Sequence, residues 1–189
     1  MTNDWPVLSI VTFLPLAGCF FIMLTRGEDD AVGRSSQYIA LWTTIPTLII
    51  SIFIWMNFDP SRNGYQMLEH GAWISDIGIN YQLGVDGISV FLIICTAFLT
   101  PICIFTTWTS IKGRVREHMI ILLVLETTII GSFCALDIFL FVCFVTAASV
   151  PLYLMIGMGR KHDGYHACLN FSVNIFLIFI HTIRYAVKI

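Results

Sequence analysis

One acidic side chain lies well inside an apolar stretch of this sequence, and its position suggests chemistry. Glu126 stands about seven residues into a predicted membrane span at 119–136, which is roughly 10 Å deep at 1.5 Å per residue. A carboxylate at that depth is costly unless it is paired or hydrated. Two interpretations follow: Glu126 belongs to a proton relay or ion path, or it is protonated and hydrogen-bonded to a neighbouring helix.

Two further carboxylates stand at the predicted ends of spans. Asp86 precedes Gly87-Ile88-Ser89, and Asp137 forms a very tight turn between two spans. A carboxylate at a helix start is favoured by free backbone N–H groups and by the helix dipole. For Asp86 this favours a helix start over a proton site, although both aspartates remain candidates for a proton path.

A second polar line lies on the last apolar stretch. Asn170, Asn174, His181 and Lys188 share one face of a predicted helix, because they stand at i, i+4, i+11 and i+18. This spacing favours a seam that bonds the helix to a neighbour over a proton-carrying line. We expect Asn170 and Asn174 to face protein, and we keep His181 as a proton-path candidate.

No residue pattern predicts covalent catalysis or a metal site. The sequence shows no nucleophile–base pair, no phosphate-binding glycine loop and no CxxC pair. The six cysteines lie in or beside apolar runs, with no histidine at ligand spacing, and are interpreted as small buried apolar residues: Cys19, Cys95, Cys103, Cys134, Cys143 and Cys168.

Composition indicates the class of protein that positions these residues. Of 189 residues, 57% are hydrophobic and 12% are charged, with a mean hydropathy of +0.83. Soluble domains carry about 25% charged residues, so a polytopic all-α membrane bundle is predicted. The net charge of −2 gives no basic stripe for nucleic acid. Six helical spans are expected within a single transmembrane domain over 1–189, at about 6–25, 38–57, 85–108, 119–136, 138–158 and 167–187.

Lysine and arginine counts predict the orientation. The loops after the odd-numbered spans carry seven of the ten basic residues, so this side is predicted to be cytoplasmic or matrix. The longest loop, about 59–84, then lies outside, as a small hairpin or a surface-lying segment. No basic residue precedes Arg26, so neither a secretory signal nor a transit peptide is expected.

Two long strings carry a family resemblance. LGVDGISVFLIICTAFLTPICIFTTW and REHMIILLVLETTIIGSFCALDIFLF resemble the subunit 4 (chain M) family of NADH:ubiquinone oxidoreductase, respiratory complex I, as do WPVLSIVTFLPLAG and FDPSRNGYQMLEHGAWI. The resemblance is dense over about 4–141. It implies an antiporter-like membrane-arm subunit, normally of fourteen spans, in the mitochondrial inner membrane or a bacterial plasma membrane.

This sequence departs from the family pattern where the resemblance places proton-carrying residues. The family's span-five glutamate corresponds to Thr146, five residues before Pro151, and its early span-six lysine corresponds to Asn170. The later lysine-bearing spans have no counterpart, because the predicted spans match only the first six. The expectation is therefore a truncated subunit that is structural unless a second chain completes it.

The resemblance also implies partners and cofactors. The expected neighbours are subunit 2-like and subunit 5-like chains of the membrane arm, together with lipid and a possible second chain carrying the rest of subunit 4. The enzyme would use NADH, FMN, iron–sulfur clusters and ubiquinone, none of them bound by this chain. The alternative is a stand-alone small transporter, or an assembly or interaction protein, that reuses the fold.

Overall fold

The structure is a computed structural model that describes residues 5–26, 29–62, 64–74, 79–110 and 113–159. Within these ranges five helices are long and apolar enough to cross a membrane. They are α1 (Val7–Leu24), α2 (Asp29–Met56), α3 (Gly87–Thr107), α4 (Val115–Cys134) and α5 (Ile138–Gly159). The predicted helical membrane bundle is confirmed for these five; the predicted span at 167–187 lies outside the described residues.

Two helices begin earlier than the sequence predicts. The second span was expected at 38–57, but α2 starts at Asp29, and the fourth was expected at 119–136, but α4 starts at Val115. Hydropathy marks where hydrocarbon begins, whereas a helix continues through polar residues beyond it. At 1.5 Å per residue, a helix as long as α2 measures about 40 Å, more than the ~30 Å hydrocarbon core requires.

The long loop contains a β-hairpin, as one of the two interpretations expected. Strand β1 (Gln66–Ile74) pairs antiparallel with β2 (Ile79–Val85). The register is interrupted between Gln66 and Glu69, where Met67 takes a left-handed backbone with a φ of 53°. Such a bulge changes the directions in which the following side chains of the strand point.

Helix α4 lies at the centre of the bundle and packs against α1, α2, α3 and α5. It runs antiparallel to α1, because contacts join opposite ends of the two helices. At one end, Arg116 donates a hydrogen bond to the Met23 carbonyl at 2.7 Å. At the hairpin end, the Leu136 amide donates to the Gln82 carbonyl of β2 at 3.0 Å. The hairpin therefore holds the α4–α5 turn beside the start of α1.

The interior of the bundle mixes apolar and hydroxyl side chains. Two apolar clusters, one around Leu8, Ile93 and Ile130 and one around Ile22, Ile104 and Leu123, fill its two halves. Helix α2 adds buried serines and threonines whose hydroxyls donate to carbonyls of their own helix: Ser36, Thr44, Thr47 and Ser51. Small polar residues of this kind allow helices to approach closely in lipid.

The closest approach of α1 to α2 depends on a glycine. A Cβ at Gly18 would lie 2.6 Å from the Thr43 Oγ1 and 3.0 Å from the Thr43 Cβ. Thr43 is β-branched and short, so it has little freedom to withdraw. Gly131 is similarly placed in α4, where a Cβ would meet the Phe144 ring of α5 at 2.5 Å.

We therefore expect Gly18→Ala to separate α1 from α2. The substitution should lower the free energy of unfolding by about 1–3 kcal/mol, the usual cost of overpacking. Gly157→Ala is the matched control, because a Cβ there meets nothing within 4 Å among the described residues. Thermal denaturation of both variants in one detergent measures the difference, and equal midpoints would contradict a close contact at Gly18.

Candidate functional site

Glu126 lies deep within the bundle. It stands eleven residues after the first residue of α4, or about 16 Å along the helix, because the helix starts at Val115. The helix thus extends four residues before the predicted span start at 119, and the predicted depth of Glu126 in the membrane stays a prediction. The side chain is 1% exposed, and neither carboxyl oxygen has a hydrogen-bond partner within the described residues. The expected bond to a neighbouring helix is thus not formed in this part of the chain.

A second titratable side chain lies in the same helix. This side chain is His118, which lies just before the predicted span at 119–136 but inside α4. His118 is buried, and its Nε2 has no partner in the described ranges. It stands two turns before Glu126 on the same face, about 12 Å along the axis. His118 lies in the bundle interior and not in the preceding loop, because α4 starts at Val115.

Two threonines add unpaired polar atoms to this interior. The Oγ1 atoms of Thr12 in α1 and Thr127 in α4 are buried without a hydrogen-bond partner in the described structure. Thr127 follows Glu126 directly in α4. The Thr12 hydroxyl lies next to the Cys134 thiol, but the distance and angles between them are not those of a hydrogen bond. Cys19 of α1 lies within electrostatic range of Glu126. The unpaired atoms therefore gather where α1 meets α4.

A polar cluster at the hairpin end was not predicted. Glu69 of β1 reaches the start of α1, where its carboxylate accepts the Leu8 amide at 2.7 Å and the Ser9 amide at 3.1 Å, as well as the Ser9 hydroxyl. The Ser9 hydroxyl also lies 3.0 Å from the Tyr81 hydroxyl of β2. Pro6, at the N-cap, provides no side-chain bond. Glu69 thus caps α1 although it lies 60 residues further along the sequence, so no sequence pattern near the helix start predicts this cap.

Tyr81 is partly buried in this cluster. Burial raises the pKa of its phenol, while the hydrogen bond with Ser9 opposes that rise. The hydroxyl consequently stays protonated at neutral pH and can both donate and accept hydrogen bonds. Tyr81 and Ser9 together form a continuous hydroxyl contact between the hairpin and α1.

Both predicted boundary aspartates lie at helix starts. Asp86 accepts the Ser89 amide at 2.7 Å, which confirms the favoured interpretation as a helix start. Asp137 accepts the Phe139 amide at 2.7 Å in the tight turn before α5. The structure does not bring either carboxylate together with Glu126. Their candidacy for a proton path remains a prediction.

The remaining predicted positions divide between α5 and the undescribed residues. Thr146, which stands where the family resemblance places a glutamate, is partly buried, and its hydroxyl donates to the Val142 carbonyl at 2.7 Å. The hydroxyl is therefore used within its own helix. Asn170, Asn174 and His181 lie outside the described residues, so their predicted seam is untested.

This arrangement places one buried carboxyl where it can hold a proton. A buried carboxyl without a fixed partner can gain or lose a proton when water reaches it. Among the described residues, no group of three histidine, cysteine, aspartate or glutamate side chains could hold a metal ion. Five membrane-crossing helices around a buried acid define a multi-pass membrane protein with an intramembrane titratable site.

Comparisons with known proteins specify the relationship. Over 90% of its length the chain is 40% identical to NADH-quinone oxidoreductase subunit M of Rhodobacter capsulatus, covering 33% of that protein. It is 35% identical to subunit M of Rickettsia prowazekii over 92% of its length, and 34% identical to NADH-ubiquinone oxidoreductase chain 4 of Marchantia polymorpha over 80%. The chain is thus homologous to subunit M, or chain 4, over about a third of the length of these relatives. No family model matches it.

The buried Glu126 and the partly buried Glu69 lead to opposite predictions for one substitution. Glu126→Met removes a carboxyl that has no partner in the described structure, so it should raise the free energy of unfolding by about 1–3 kcal/mol. Glu69→Met removes an acceptor of three hydrogen bonds and should lower it by about 2–3 kcal/mol.

Thermal denaturation of the two variants in one detergent compares them directly. Methionine fills a volume similar to that of glutamate, so packing changes are small in both. A loss of stability in Glu126→Met as large as in Glu69→Met would show that Glu126 has a stabilising partner.

The Asp86 cap predicts a pH dependence. The Ser89 amide, followed by the Ser89 hydroxyl, lowers the pKa of Asp86. A carboxyl whose pKa is lower in the folded state stabilises the protein above its unfolded pKa, and this contribution is lost as pH falls through the folded value. Asp86→Ala should lower stability by about 1 kcal/mol at neutral pH and remove this acid-dependent loss. Denaturation at several pH values tests this, with Asp86→Asn as the control that keeps the cap without the charge.

Proposed function

We propose that this chain is part of the membrane arm of an NADH-quinone oxidoreductase, in the place of the N-terminal portion of subunit M. The observation that carries the proposal is the 40% identity over 90% of the chain to a protein of that name. Five helices of membrane-crossing length, packed around a buried acid, fit such a role.

Glu126 is the proposed proton-handling residue of this portion. It is buried at the middle of α4, and lipid offers it no water. Thr146 cannot carry a charge, so the proton step expected at that position of the family is not available here. Complete proton translocation would need residues from the two thirds of subunit M that this chain does not match.

The wider setting follows from the same proposal. Subunit 2-like and subunit 5-like chains would be the lateral neighbours in the arm. NADH, FMN, iron–sulfur clusters and ubiquinone would act elsewhere in the enzyme, so this chain would take part without binding them. The membrane would be the mitochondrial inner membrane or a bacterial plasma membrane.

Purification through this chain in mild detergent tests the proposal. We expect the chain to migrate on a native gel with NADH dehydrogenase activity, and mass spectrometry should identify other membrane-arm subunits in stoichiometric amounts. The apolar faces of the helices bury enough surface to keep such a complex together in mild detergent, but a harsh detergent should release the chain. A harsh-detergent sample is therefore the control.

Two outcomes separate the alternatives. Co-migration with a chain that carries further intramembrane lysines would indicate a proton-translocating unit assembled from more than one segment, whereas co-migration without one would indicate a structural role. A chain that migrates alone in mild detergent would contradict the proposal and favour a stand-alone transporter or an assembly protein.

A further inference from the structure

Thr12 and Thr127 differ from the other threonines of the described helices. Each of the others donates its hydroxyl to a carbonyl three or four residues earlier, as Thr96, Thr100 and Thr128 do. This internal bond is the ordinary use of a threonine hydroxyl in an apolar helix. Thr12 and Thr127 do not make it, so both hydroxyls turn away from their own backbone.

The two threonines lie in facing stretches of the antiparallel helices α1 and α4. The Cys19 thiol of α1 contacts the Ile120 carbonyl of α4 at 3.6 Å. From this contact both helices run towards the hairpin end, α1 back to Thr12, which lies next to Cys134, and α4 forward through Thr127. Thr127 also shares a face of α4 with Leu123 and Ile130, whose clusters include residues of α1. Both hydroxyls therefore lie in the seam between α1 and α4.

Glu126 brings two more unpaired acceptors to this seam. Its two carboxyl oxygens and the two threonine hydroxyls are buried polar atoms without partners in the described structure. Buried polar groups almost always have a hydrogen-bond partner, whether protein or ordered water. A buried water needs two to four polar partners, and these four atoms can supply them.

The seam continues towards the hairpin. Thr12 lies one turn from Ser9 on α1 and next to Cys134 on α4. Ser9 contacts both the Tyr81 hydroxyl and the Glu69 carboxylate. Cys134 also lies close enough to Tyr81 and Glu69 to interact with them electrostatically. Polar side chains thus occur along the seam from Glu126 to the end of the bundle that contacts the hairpin.

We propose that ordered water lies between α1 and α4 beside Thr12 and Thr127, and that it connects Glu126 to the cluster of Glu69, Ser9 and Tyr81. A proton moves along this route by successive transfers, each of which breaks one O–H bond and forms another. The inference deepens the proposed function, because it rests on the proton-handling role proposed for Glu126.

Hydrogen–deuterium exchange of the Glu126 carboxyl tests the route without turnover of any enzyme. The purified full chain, with its native partners, is reconstituted in lipid and transferred to D₂O at a pH where the carboxyl is protonated. The C=O band that disappears in Glu126→Gln is followed by infrared spectroscopy. We expect exchange in the unchanged protein, and about tenfold slower exchange in the double variant Thr12→Val, Thr127→Val.

Matched variants separate the route from general effects on packing. Thr96→Val with Thr100→Val removes two hydroxyls that bond within α3, and it should leave the exchange rate unchanged. Thr12→Ser with Thr127→Ser keeps both hydroxyls and should restore fast exchange. Tyr81→Phe should slow exchange, because it interrupts the hairpin end of the route.

The outcomes are decisive. Equal exchange rates in the Thr12/Thr127 and Thr96/Thr100 valine variants, or no exchange in the unchanged protein, would overturn the proposal. Fast exchange in Tyr81→Phe would overturn the exit at the hairpin. Because the readout is local to Glu126, it can fail while the chain still co-purifies with NADH dehydrogenase activity, or succeed when it does not.

Discussion

In hydrocarbon a polar group has no water to bond with, and this constraint governs the interior of the bundle. The backbone meets it by forming helices, and most buried hydroxyls meet it by donating to their own helix. Glu126, Thr12, Thr127 and His118 are exceptions within the described residues, and all four lie on α1 or α4. Since unpaired buried groups cost stability, their occurrence on these two helices argues for a functional origin.

The β-hairpin solves the same problem at the membrane boundary. The free amides at the start of α1 need acceptors, and Pro6 cannot supply one through its side chain. The bulge at Met67 directs β1 so that Glu69 reaches these amides. The same hairpin bonds the turn after α4 through Gln82 and Leu136. One short element therefore fixes the relative positions of the two helices that bound the polar seam.

The homology and the geometry support different parts of the proposed function. The relatives are named as subunits of NADH-quinone oxidoreductases, and the proposed function rests on that similarity. The geometry indicates how protons would be handled in this portion, since Thr146 uses its hydroxyl within α5 whereas Glu126 has no fixed partner. Under the proposed function, proton handling in the described part of the chain would therefore centre on α4 rather than α5.

The sequence by itself determined the class of protein, five described helices and the one acid within an apolar span, because these follow from local hydropathy and helical spacing. It also determined the Asp86 cap, since the capping residue lies three positions from its partner. Only the tertiary structure decided that Glu69 caps α1, that His118 lies within the bundle, and that the hydroxyls of Thr12 and Thr127 are buried without a partner among the described residues. These depend on where helices begin and on how residues distant in sequence pack together, which local patterns do not encode.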